Sequence, residues 1–135
     1  MNSYQGSCLC GQVSYRITGD ALGFYHCHCR RCRKMTGTGH ASNLRIDTDT
    51  IDWLTGADLV RSYRLPEASR FRNDFCSACG SPLPKYFSEV NFVIIPAGTL
   101  DSEPELQPQA RIFCGSRSNW SCRDSLPAFD AYPVD

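Results

Sequence analysis

Cys27-His28-Cys29-Arg30-Arg31-Cys32-Arg33-Lys34-Met35-Thr36-Gly37 puts three thiols and four cations within eleven residues. Two shorter clusters flank it, Cys8-Leu9-Cys10-Gly11 and Cys76-Ser77-Ala78-Cys79-Gly80. Together they hold seven of the nine cysteines, leaving Cys114 and Cys122 apart. An odd count cannot pair completely. The N-terminus, Met1-Asn2-Ser3-Tyr4-Gln5-Gly6, shows neither a basic region nor an apolar stretch. It therefore reads as a cytoplasmic start without a signal peptide, where thiols stay reduced. Tight spacing is poor for disulfide geometry and well suited to thiolates converging on one metal ion. Zinc is the default ion for thiolate-rich sets, with iron–sulfur clusters as the rival.

The clusters differ in the residue after the last cysteine. Gly11 and Gly80 permit the positive-φ turn that aims backbone N–H groups at the sulfurs. Cys8, Cys10, Cys76 and Cys79 thus read as two matching half-sites of one closed, four-ligand structural site. Cys27, Cys29 and Cys32 offer three ligands from one segment, the number that leaves a catalytic zinc an exchangeable position. Closure by His26, His28 or His40 is the alternative, although extended backbone turns His26 and His28 away from Cys27 and Cys29. Arg30, Arg31, Arg33 and Lys34 would favour ionised thiols and attract an anionic partner, unless they form only a solvated basic turn.

Composition sets the outer bounds. The 135 residues suit one domain, 1–135, and the 41% hydrophobic and 21% charged fractions are those of a globular protein. Fourteen basic residues balance fourteen acids, so no nucleic-acid partner is expected. The longest run of large apolar residues, Phe92 to Ile95, is far short of the ~20 needed for a membrane helix. Arginine outnumbers lysine twelve to two, consistent with multidentate anion contacts or with a genomic bias.

The remaining chain reads as short strands. Alternation marks Val13 to Ile17, and Phe24 to Cys27 leads into the cysteine segment. Further candidates are Ala41 to Ile46, Ile51 to Leu54, Leu59 to Leu65, Arg70 to Phe75, Leu83 to Phe87, Asn91 to Ile95 and Ala110 to Phe113. Residues 28–36 alone suggest a helical turn. The pattern predicts an all-β protein, a sandwich or similar. Trp53 reads as core, Cys114 and Cys122 as buried small side chains, and Trp120 as either core or an aromatic wall for a ligand.

The three cysteine clusters, with Pro96-Ala97-Gly98-Thr99-Leu100-Asp101, Arg117-Ser118-Asn119-Trp120 and Leu126-Pro127-Ala128-Phe129, resemble the glutathione-dependent formaldehyde-activating family, also called the centromere protein V type. The likeness runs from about Gly6 to Pro133. Asn119 departs from the proline common before the tryptophan. The resemblance implies a β-tent fold of short antiparallel strands organised around two zinc ions per chain. It assigns Cys8, Cys10, Cys76 and Cys79 to structural zinc and Cys27, Cys29 and Cys32 to catalytic zinc. The implied reaction is that of a carbon–sulfur lyase on a thiol adduct, S-hydroxymethylglutathione, formed from formaldehyde and glutathione. Two other functions fit the residues: a zinc-stabilised binding module without turnover, and a thiol-based redox or metal sensor. The sequence sets no oligomeric state.

Overall fold

The computed structural model describes residues 1–122 and 125–133; the last two residues of the expected domain lie outside them. The chain is mostly β-strand, with one α-helix among the described residues. In order the elements are β1 (Asn2–Ser7), β2 (Ser14–Cys27), α1 (Arg30–Thr36), β3 (Ala41–Asp47), β4 (Asp52–Thr55), β5 (Val60–Arg64), β6 (Arg72–Cys76), β7 (Lys85–Phe87), β8 (Phe92–Pro96) and β9 (Ala110–Ile112). No described helix is long and apolar enough to cross a membrane.

The organising element is β2. Its first half pairs antiparallel with β1 and β4, and its second half with β3. The register shifts between Ala21 and Gly23, a bulge that bends the strand and passes it from one set of partners to the other. Gly19 is required near this bend, since a Cβ there would lie 2.6 Å from the Asp47 carbonyl oxygen. The result is a curled seven-stranded sheet in the order β1-β2-β3-β8-β7, with β4 and β9 also on β2, beside a β5–β6 hairpin. This replaces the sandwich expected from strand spacing: one bent strand curls a single sheet. The pairing is antiparallel except for β9, which runs parallel to the end of β2.

Strand alternation gives the sheet two different faces. On one, Tyr4, Tyr15, Ile17, Leu44, Ile46, Val93 and Ile95 pack as the main core. Fully burying a side chain of this size contributes about 1.5–3 kcal/mol. Two smaller clusters each form around cysteines: Cys8 and Cys76 with Val13 and Leu83, and Cys27 and Cys32 with Ala41. Trp53 is half-buried and packs against both the main core and the first small cluster.

The first strand escaped the sequence reading. Asn2-Ser3-Tyr4-Gln5-Gly6-Ser7 carries one large apolar side chain, Tyr4, which is buried. Gly6 completes the inward pattern by absence of bulk: a Cβ there would meet the Tyr15 ring and hydroxyl. Small and polar residues thus form a strand because a neighbouring tyrosine fills the space.

Candidate metal centres and cavity

Four thiols meet where the β1–β2 turn approaches the turn after β6. Gly11 has φ 79° and donates its N–H to the Cys8 carbonyl at 3.0 Å; Gly80 has φ 81° and donates to the Cys76 carbonyl at 2.7 Å. The two turns are built alike, as the shared Cys-Gly ending predicts. The Leu9 N–H donates to the Ser81 hydroxyl at 2.9 Å and ties one turn to the other. The sulfurs of Cys8, Cys10, Cys76 and Cys79 all lie within 4.8 Å of one another. Sulfurs at ~2.3 Å from a tetrahedral zinc would stand about 3.8 Å apart. Cys8 and Cys10 are 3.5 Å apart and Cys10 and Cys76 4.0 Å, so the donor set fits a zinc-sized ion. The Ser81 hydroxyl beside Cys79, together with its backbone, holds that thiol down to about 5.

The second set is local. Cys27 ends β2, Cys29 caps α1, and Cys32 lies in its first turn. The Cys29 sulfur accepts the Cys32 N–H at 3.3 Å, the role an oxygen usually fills at a helix N-cap. Gly37, at φ 72°, ends the helix by donating its N–H to the Arg33 carbonyl at 2.8 Å. The strand end and the short helix therefore bring all three sulfurs to one place, within 4.8 Å of each other. Contact with Cys32 holds the Cys27 thiol down to about 6, and the same contact, with burial, pushes Cys32 far up. Three thiols so close cannot all ionise alone, and a cation among them would reverse that. Three thiol donors again suit zinc.

No histidine joins the three thiols among the described residues. His26, His28 and His40 gather on the other side of the strand. The His26 and His40 rings stack 4.0 Å apart, and His28 lies 5.0 Å from His40. Burial lowers the pKa of each below the usual histidine value. The Cys122 sulfur lies 3.8 Å from His28 Nε2 and accepts from Arg111 at 2.6 Å. Neither isolated cysteine is a buried filler: Cys114 is exposed and Cys122 half-buried. Trp120, 60% exposed, is neither core nor among the residues that line the cavity described below; it lies near Gly39.

The three thiols open into a cavity of about 540 Å³ on the sheet face opposite the main core. Register explains its walls. Cys27 pairs with Ala41 and Ile112, Tyr25 with Asn43, and Arg45 and Lys85 both with Ile94, so these side chains share a face. The helix residues Arg30, Arg31 and Met35 and the segment Ser69-Arg70-Phe71 close the other side. Arg30, Arg31, Arg45, Arg70 and Lys85 all line the cavity, and no acidic side chain does among the described residues. A neighbouring cavity of about 520 Å³ shares Arg30, Arg31, Met35 and Phe71 with the first.

Sequence reasoning found the thiols and the helix cations but missed Tyr25, Asn43, Arg45, Phe71 and Lys85. One signal was present: Lys85 is a cation inside a stretch, Leu83 to Phe87, that otherwise reads as apolar. Lys85 is only 5% exposed, and burial pulls its pKa below the usual lysine value.

Comparison with known proteins points the same way. No curated protein was similar enough to count as a relative. A crystal structure of a Rhodobacter sphaeroides protein superposes with a TM-score of 0.60 at 18% identity, over 79% of this chain and 98% of its own, a likeness of fold. A family model for the glutathione-dependent formaldehyde-activating enzyme matches residues 3–116, which include all three cysteine clusters and stop before Trp120. The chain belongs to the glutathione-dependent formaldehyde-activating enzyme family.

Proposed function

We propose that the chain is a single-domain, zinc-dependent carbon–sulfur lyase-type enzyme of β-tent-like fold that joins formaldehyde to a thiol, glutathione being the substrate its family suggests. The observation that carries this reading is the second thiol set: three sulfurs within 4.8 Å, no fourth metal-ligating side chain among the described residues, and a cationic cavity in front of them. Cys8, Cys10, Cys76 and Cys79 would hold one zinc as a structural clip. Cys27, Cys29 and Cys32 would hold the other, and zinc there supplies a position at which a substrate thiol ionises near neutral pH.

The chain's own residues do the rest. Cys29, fixed by the cap bond from Cys32, and Cys27, fixed by the end of β2, set where the substrate sulfur sits. Arg30 and Arg31, on the first turn of α1, face the incoming molecule and favour the thiolate over the thiol. Tyr25, Met35, Phe71 and Ile112 give an apolar lining that displaces water from the aldehyde, which water would otherwise hydrate. The sulfur forms a bond to the aldehyde carbon, the carbonyl π pair moves to oxygen, and the thiol's proton is returned there, giving an S-hydroxymethyl thiol with no net gain or loss of protons. A reducing compartment such as the cytoplasm suits nine unpaired cysteines.

The test uses protein loaded with cobalt as a spectroscopic substitute for zinc, purified without oxygen. Glutathione should change the visible spectrum of one of two cobalt ions, and the zinc protein should speed S-hydroxymethylglutathione formation measured by proton NMR. A spectrum indifferent to thiols would instead favour a binding module without turnover.

A further inference from the structure

We propose that Lys85 and Arg45 are the counter-charges of the second metal centre: two positioning residues built into the sheet, one acting at Cys32 and one at Cys27, that hold the ion there and not the fold. The inference rests on the metal-binding part of the reading above and is independent of the reaction.

Charge sets the requirement. A divalent ion on three thiolates leaves one net negative charge. Cys27 and Cys32 are buried. A charge taken out of water is unfavourable unless an opposite charge stands close by. The first set meets this requirement without cations. Its Cys10 is exposed to water, the Val13 N–H donates to the Cys8 sulfur at 3.3 Å, and the Gln12 side-chain amide donates to the Cys10 sulfur at 3.6 Å. Burial and hydrogen bonds dominate at Cys8, Cys10 and Cys79, with no cation among those influences.

The second set has two cations instead, and register delivers them. Arg45 on β3 and Lys85 on β7 both pair with Ile94 of β8. Arg45 stands four residues from Ala41, the partner of Cys27, so both cations share the face that carries that cysteine. Lys85 is buried, and no described residue accepts a hydrogen bond from it. Burial works against its ammonium, Asp74 and Cys32 favour it, and Arg72 opposes it. Asp74 is already matched, because its Oδ1 accepts from Arg72 at 3.1 Å and from the Ser62 hydroxyl at 2.8 Å. One positive charge is left over, and the remaining negative group that Lys85 faces is Cys32.

Arg45 repeats the arrangement at Cys27, on which its charge acts. Its guanidinium carbon lies 4.9 Å from the Tyr25 ring centre and 5.3 Å from that of Phe92, so two rings keep the group from turning out to water. No described acid forms an ion pair with it, and its Nε is buried without a hydrogen-bond partner. The main core lies on the other face of the sheet, so neither cation is needed to fill it. Two cations short of partners weaken a fold on their own and become favourable once the centre beside them is loaded. The opposite signs of these two effects separate a counter-charge from a packing residue.

The experiment titrates the zinc-loaded protein with a chromophoric chelator and records melting before and after the more labile ion has left. Lys85→Met should hold that ion about ten- to a hundredfold more weakly, and Arg45→Gln about tenfold, the usual effect of losing a group that supports a metal's ligands. Lys85→Arg keeps the charge and should retain most of the affinity. The ion that leaves with unfolding should be held as in wild type by all three variants. Once the labile ion is gone, Lys85→Met should melt no lower than wild type, because it lacks an unmatched buried charge. The proposal is overturned if Lys85→Met and Arg45→Gln hold both ions like wild type, if Lys85→Met weakens both ions alike, or if Lys85→Arg does no better than Lys85→Met. A Lys85→Met protein that fails to fold, or that melts equally lower with and without the ion, overturns it too, since the lysine would then belong to the fold. Release of both ions from wild type in one step has the same consequence, because Cys27, Cys29 and Cys32 would hold no ion of their own. Failure of the enzyme reading shows elsewhere, in a cobalt spectrum indifferent to glutathione, and leaves these affinities as stated.

Discussion

Cys8, Cys10, Cys76 and Cys79 come from two turns, with Cys10 and Cys76 lying 66 positions apart, whereas Cys27, Cys29 and Cys32 lie within six residues. The first set joins the β1–β2 turn to the end of β6 and sits in its own small core, where Cys76 and Val13 are fully buried. The second set hangs from one strand end and one short helix and faces a cavity. On the proposed reading the same element, a cysteine thiol, is a clip in one place and a site in the other. What separates them is loop length and exposure. Closing a long loop constrains the unfolded chain, while closing six residues constrains almost nothing.

The largest expected effect is on the first set. Cys76→Ser should remove a ligand from the proposed structural centre, whose metal would itself be folding energy, on the order of 10 kcal/mol in small zinc domains. The protein should be insoluble, or lack a cooperative melting transition followed by circular dichroism. A soluble Cys76→Ser protein with a near-wild-type transition would erase the contrast.

Cys29→Ser should behave differently. Serine is itself a good N-cap, so the helix end that Cys29 now caps keeps its acceptor for the Cys32 N–H. We expect loss of one zinc of two by native mass spectrometry and loss of the glutathione response, with the cooperative melt retained. Unfolding of this variant would move the second set into the structural class.

The outlying thiols sharpen the same division at zero effect. Cys114→Ser and Cys122→Ser should leave the zinc count unchanged, because neither sulfur joins either group. Loss of an ion from Cys122→Ser would mean that the His28 contact reports a ligand role.

Legibility in the sequence has the same physical origin. The two thiol groupings were readable because spacing along the chain decides them: two Cys-Gly endings give two alike turns, and Cys27-x-Cys29-x2-Cys32 gives a strand end and a helical turn. The strands were readable where large residues alternate, as at Tyr15 and Ile17, and not where Gly6 leaves room for Tyr15. The wall beside the thiols was not readable. Arg45, Ile94 and Lys85 meet through cross-strand register, and no local pattern encodes which strands become neighbours. Trp120 misled for the reverse reason: an aromatic residue suggests core or cavity, and here it lies largely exposed over Gly39.

The smallest effect concerns acid. Burial lowers the pKa of His40, so between its folded value and the unfolded value of ~6.5 the unfolded chain binds more protons. Stability from this source is complete above about pH 6.5 and is lost as pH falls below it. His40→Gln should flatten that part of a melting-temperature profile by a few degrees at most. An unchanged slope would show that His40 carries none of the acid effect, leaving it to His26, His28 and the thiol sets.

The most direct test is a chelator titration of the wild-type zinc protein, with zinc release and thermal melting followed on the same samples. Two centres of different kind predict two steps. About one zinc per chain should leave first with the fold intact and the glutathione response gone, and the second should leave together with unfolding. Release of both ions in a single step coincident with unfolding would contradict the account, since the second set would then be as structural as the first.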